Sequence, residues 1–295
     1  MQGRQLSMWD NISLESGFRC LMAMDLDNAI QYFRNSLEKG SGDQKIIKLL
    51  IEVCQYWKNR IQSVHQTELS SESVEELLED YNRFHFTPEM AGLEKALLMY
   101  IAEMVLKVQG ICFGSIENAF DFLIRKKEYG TAEKIISQYM DGHPEERYSL
   151  YLLAQVQWMQ LNHNEANISY ARAFICCPGK TPLARIENKK LNDLILAYGN
   201  FLAPAYGWIK NILPFVQIPE LIVTENAEHA SALESYRLLQ EAHRALKKND
   251  MTSCINYRKQ LKLHAPELYD EYFDLLKQRK SVNPFLMNPL SSPGS

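Results

Sequence analysis

Six cysteines and seven histidines are the side chains here with most chemical reach, because a thiolate attacks as a nucleophile and an imidazole moves protons or binds metal. Their spacing supports neither use. The cysteines, at Cys20, Cys54, Cys112, Cys176, Cys177 and Cys254, contain no Cys-x-x-Cys pair, and the histidines form no His-Glu-x-x-His, so zinc-ribbon and zincin chemistry is not expected. His163 with Cys176 and Cys177 reads as a coincidence of spacing. Cys176 and Cys177 end an apolar run just before Pro178, with no base nearby in the sequence to lower a thiol pKa, and read as small buried packing. Gly40-Ser41-Gly42 followed by Lys45 lacks both the spacing and the preceding strand of a phosphate loop. No catalytic residue, metal site or cofactor is expected.

The 295 residues are 46% hydrophobic and 23% charged, which suits a globular chain and excludes a disordered or fibrous one. A net charge of −4 gives no reason to expect nucleic acid or an anionic membrane. Arg237, Arg244, Lys247, Lys248, Arg258, Lys259 and Lys262 are interleaved with Glu and Asp and read as a solvated face. The residues from Met1 lack the order of a secretory leader, and the greasiest windows fall short of the about 20 apolar residues of a membrane span or are broken by Pro204, Pro214 and Pro219. The expectation is a cytoplasmic protein with reduced cysteines.

Only 13 glycines and 11 prolines interrupt stretches of Leu, Ala, Glu, Lys, Gln and Met, the residues that lose least on entering a helix. Apolar residues recur at spacings of three and four, as in Ile46, Leu49, Leu50, Val53, Cys54 and Trp57. The pattern predicts an all-α chain with helices near 12–24, 27–39, 43–63, 71–84, 88–109, 115–126, 130–141, 146–161, 164–176, 187–201, 206–213, 228–248, 251–263 and 267–279. Val216 to Ile222 is the one short strand candidate. Glu72, Glu75, Glu76 and Glu79 predict a solvated helix face opened by a cap at Ser71.

Short helices joined by short turns pack antiparallel with their neighbours, which raises the question of a repeat. Ala132 and Ala166, and again Pro144 and Pro178, stand 34 residues apart. Within each unit a small residue twelve positions before the Pro lets the two helices approach closely, and the Pro follows the second helix, where a missing N–H costs nothing. The unit 147–180, with Leu153, Ala154, Ala166, Tyr170, Ala173 and Pro178, resembles the tetratricopeptide repeat. Units 113–146, 10–43 (Gly17, Ala29, Phe33) and 235–268 (Ala242, Cys254, Leu261, Pro266) fit the same template more loosely.

The resemblance implies antiparallel helix pairs stacked into a right-handed superhelix, an α-solenoid. The organisation expected is 1–112 as N-terminal repeats, with 44–112 degenerate; 113–201 as tandem units; 202–227 as an apolar Pro-rich insertion or linker; 228–280 as a C-terminal unit; and 281–295 as a disordered tail. The tail's Asn283-Pro284-Phe285 matches the short ligand of Eps-homology domains, a signal of only three residues.

In such a stack the first helices line a concave groove, which places Tyr148, Tyr151, Gln155 and Trp158, then Tyr236, Leu239 and His243, with Glu117 and Asp121, on its wall. The family's two-carboxylate clamp, built from Lys and Asn, is absent at Glu117, Asp121, Tyr151 and Gln155. The expected function is therefore a non-enzymatic interaction module that holds an apolar or basic peptide or helix of another protein. The rings equally suit packing between helices. Leu202 to Val223 is either buried or a docking patch, and self-assembly through it is the alternative function.

Overall fold

The computed structural model describes residues 8–66, 70–108, 113–220 and 222–282. Among these, all fourteen expected helices form, every boundary within four residues of its predicted position, and Val216 to Ile222 is not a strand. The chain divides into two compact units, Met1–Gly142 and His143–Ser295. The division falls inside the block 113–201 that was expected to be continuous, and it leaves 202–227 within the second unit instead of between two halves. Cys112, Asn283-Pro284-Phe285 and the tail beyond Val282 lie outside the described residues.

The first unit holds α1 (Met8–Met22), α2 (Leu26–Glu38), α3 (Gln44–Gln66), α4 (Ser71–Arg83), α5 (Ala91–Lys107), α6 (Phe113–Arg125) and α7 (Tyr129–Gly142). Each apolar stripe is the reason its helix persists: Ile47, Leu50, Cys54, Trp57 and Ile61 of α3 all face inward, and burying each large side chain stabilises by about 1.5–3 kcal/mol. The cap of α4 is Ser70, not Ser71 as the sequence suggested. The Ser70 hydroxyl accepts the Ser73 amide at 3.2 Å and the Ser73 hydroxyl accepts the Ser70 amide at 3.1 Å, which satisfies two otherwise orphan donors. Arg60 pairs with Glu76 and Asp80, anchoring the acidic helix to α3.

Residues 44–112 do not repeat the simple pair pattern. Helix α5 returns to pack on α1, where a Cβ on Gly92 would lie 3.6 Å from Met22 Sδ. Contacts run α1–α2–α3–α4–α5 and back to α1, so these five helices close a ring.

The second unit holds α8 (Ser149–Met159), α9 (His163–Cys176), α10 (Lys189–Tyr198), α11 (Ala203–Ile209), α12 (Ala227–Lys247), α13 (Met251–His264) and α14 (Pro266–Val282). Its hub is α11, seven residues long, which packs on α9, α10, α12 and α14. The stretch read as an insertion is thus the centre of this core. Leu202 and Trp208 are half-buried, while Tyr206, Ile209, Leu213 and Val216 are buried.

One motif recurs across both units. The α1–α2, α6–α7, α8–α9 and α12–α13 pairs turn through three residues whose middle member has positive φ: Met24 (57°), Lys127 (61°), Leu161 (65°) and Asn249 (59°). In each, the next amide reaches back over the corner, from Asp25 to Cys20 O, Glu128 to Leu123 O, Asn162 to Gln157 O, and Asp250 to Ala245 O, at 2.9–3.0 Å. Four residues beyond that amide stands a small, fully buried side chain, Ala29, Ala132, Ala166 or Cys254. These hairpins coincide with the four units that share the sequence pattern.

Candidate partner-binding site

The residues expected on an open wall divide by burial. Glu117 and Asp121, on α6 of the first unit, are half-exposed. In the second unit Tyr148 and Trp158 are half-buried at the two ends of α8, with Tyr148 ringed 5.9 Å from Tyr151 and Trp158 4.1 Å from His163. Tyr151 and Gln155 do not face outward. Tyr151 is 1% exposed, with its hydroxyl 2.8 Å from Thr181 Oγ1 and 3.3 Å from the Cys177 carbonyl, and desolvation drives its pKa well up. Helix α8 is apolar on nearly every side, so no wet stripe is left for them.

Tyr236, Leu239 and His243 are buried because the chain's own apolar segment covers them. The Tyr236 hydroxyl accepts the Val216 amide at 3.0 Å and faces the Val216 carbonyl at 3.3 Å, while Gln240 Nε2 donates to that carbonyl at 2.9 Å. Trp208 stacks on Phe215 at 4.0 Å, and His243 packs edge-on against Trp208 at 4.7 Å. These residues were expected on an open wall that holds a partner; instead the chain's own residues 208–216 cover them, and they are not free to bind.

An open concavity lies at the other end of α12. A cleft of 380 Å³ is lined by apolar Phe201, Leu202, Tyr206, Ala232 and Leu268 and by polar Glu228, Ser231, Ser235, His264 and Glu267, among others. The sharp joint between α13 and α14 at Ala265 opens it, since Pro266 begins a new helix immediately after the old one ends. Glu228 and Glu267 sit in the first turns of α12 and α14, where helix dipoles favour negative charge. No lysine or arginine is among the lining residues. Burial first, and then the charge of Glu267, push the Tyr206 hydroxyl up to about 12.

Ser231 and His264 raise the question of nucleophilic chemistry, with Nε2 3.3 Å from the Ser231 hydroxyl. Nε2 is also 3.1 Å from the Ser231 carbonyl, which can only accept. That nitrogen is therefore a donor, and it is not available as the base that a serine nucleophile requires. Cys176 gains a contact to Arg147 at 3.8 Å, a positive neighbour invisible in the sequence, yet desolvation outweighs it and the thiol pKa is raised.

What the cleft can do is hold an apolar stem with a cationic tip. The sequence reading missed Glu228, His264 and Glu267; the usable signal was Pro266 directly after a helical run, which marks a tight helix-to-helix joint. Comparison with protein-family models, with curated proteins and with solved structures gave no match. Among the described residues no helix is long and apolar enough to cross a membrane.

Proposed function

We propose that the protein is a non-enzymatic interaction module whose four hairpins are tetratricopeptide-like pairs, and that its second unit binds a peptide or helical segment of another protein. Support for the first part comes from the shared corner and the buried small residue that follows it in all four pairs. The observation that carries the second is the cleft beside α12: its lining combines aromatic and aliphatic side chains with two glutamates and contains no lysine or arginine. Partner side chains of lysine or arginine match it, because the alkyl stem replaces water against the apolar lining and the tip meets carboxylate. A site of this size takes one large side chain.

Titration calorimetry of the full chain against peptides bearing a central arginine tests this reading. The peptides should bind, and Glu228→Gln with Glu267→Gln should weaken them by about tenfold, the value of one charge-assisted contact. Replacement of the peptide arginine by citrulline should do the same. Equal affinity of both peptides for both proteins would remove the cleft as the site. Self-association through 202–223 is less favoured, because Tyr206, Ile209, Leu213 and Val216 of that segment are buried in the second unit's own core, although Val223 is exposed.

A further inference from the structure

A second surface, of the opposite charge preference, lies between α13 and α14. Helix α13 buries only Cys254 and Leu261, and leaves Ile255 and Leu263 exposed at 45% and 86%. Helix α14 sets Tyr269 and Phe273 one turn apart with their rings stacked at 5.9 Å and 13°. Over these rings lie three cations: Lys262 at 5.6 Å from Tyr269, Arg258 at 5.8 Å from Phe273, and Lys277 at 4.6 Å from Phe273.

Arg258 is the informative member. Its guanidinium lies between Tyr272 and Phe273 and touches the Cys254 thiol, but Nε and Nη2 are shielded from water and meet no acceptor. Buried donors left without acceptors are uncommon and costly, and the Nε and Nη2 edge is the fork that grips a carboxylate with two parallel bonds. A side-chain rotation that offers this edge to a partner gives up the contact with the Cys254 thiol and gains acceptors for Nε and Nη2. Of the acidic residues on α14 near these cations, Asp274 is already paired with Lys277 at 2.9 Å, and Asp270 is exposed.

We propose that the α13–α14 face docks an acidic amphipathic helix of a partner protein, one carboxylate taken by Arg258, others by Lys262 and Lys277, and apolar residues laid against Phe273, Ile255 and Leu263. A helix is the occupant this face fits, because α13 and α14 run antiparallel, Arg258 meeting Tyr272 and Phe273 while Lys262 meets Tyr269, and such a pair presents a groove along its length whose cations match an acidic helix. The proposal stands apart from the basic-anchor cleft, which uses other residues.

The test selects binders from a displayed library of random peptides about four helical turns long, using the full chain as bait. Selected sequences should carry Asp or Glu beside Leu or Phe at spacings of three and four. The best synthetic peptide should bind about tenfold more weakly to Arg258→Met, and several-fold more weakly to the exposed double variant Lys262→Met with Lys277→Met. Its affinity should also fall as salt rises from about 50 to about 300 mM. Three results would overturn the proposal: selected peptides with no acidic enrichment, wild-type affinity in the lysine double variant, or displacement of the peptide by an oligothymidine strand, which would make the face a stacking platform for nucleic acid.

Discussion

Tyr236 of α12 holds both main-chain groups of Val216 within reach of one hydroxyl, 3.0 Å from the amide and 3.3 Å from the carbonyl. A single buried side chain thereby fixes a segment with no regular structure of its own to the longest helix of the second unit.

Tyr236→Phe keeps the ring and removes the hydroxyl. The Val216 amide is then buried without an acceptor, which should cost about 1–3 kcal/mol of stability. Gln240→Ala, which removes a single donor to the same carbonyl, should cost less. Urea unfolding of both variants followed by tryptophan fluorescence measures the difference, and equal stability to wild type would mean that water replaces the hydroxyl.

Alkali should unfold the chain through its buried acids. Burial raises Tyr206 and Tyr236 from 10.0 to about 12, and Cys54 and Cys177 from 9.0 to about 12. Folded pKa values above the unfolded ones mean that this stability is fully present below pH 9.0 and is lost as pH rises towards 12. The urea midpoint should fall continuously across that window, and Tyr236→Phe should fall less steeply.

Gly17 and Gly130 should respond to alanine with opposite signs. A Cβ on Gly17 would lie 2.6 Å from Cε1 of the fully buried Phe33, so Gly17→Ala forces α1 and α2 apart at a cost of about 1–3 kcal/mol. Nothing lies within 4 Å of a Cβ on Gly130, in the first turn of α7, and Gly130→Ala should stabilise by about 0.5–1 kcal/mol. Denaturation midpoints compare them directly.

Leu161 is 76% exposed at a φ of 65°, in the corner between α8 and α9. Leu161→Gly relieves the left-handed strain of a branched side chain and should stabilise by about 1 kcal/mol, whereas Leu161→Val should destabilise. Thermal melts of the two variants give the order.

Thiol reactivity should follow burial. Cys54 and Cys177, both held protonated by desolvation, should resist alkylation at neutral pH, while the half-buried Cys20 is modified. Peptide mapping after a brief iodoacetamide pulse locates the labels, and rapid modification of Cys54 would show that α3 opens locally.

Helices and pair positions were legible because they depend on local spacing: of the stripe Ile46, Leu49, Leu50, Val53, Cys54 and Trp57 the last four are buried, while Ile47 takes the inward place expected of half-buried Ile46, and Ala132 and Ala166 mark both the 34-residue step and two fully buried positions. Burial of particular residues on those helices was not legible. Tyr236 and His243 lie on a face whose cover arrives from residues 208–216, and nothing within α12 announces what lands on it. The return of α5 to α1 is likewise a long-range contact with no local signature. The cleft escaped for a related reason, since its glutamates belong to two helices and meet only through the joint at Pro266.

None of the four hairpin corners carries glycine, although each bends through a conformation that glycine enters at least cost. The corners are thus bent by the helices on either side and not by the residues in them. Excised as a peptide, such a hairpin would keep both helices but lose the core that buries them, and its corner would stay bent only as long as the two helices themselves persist.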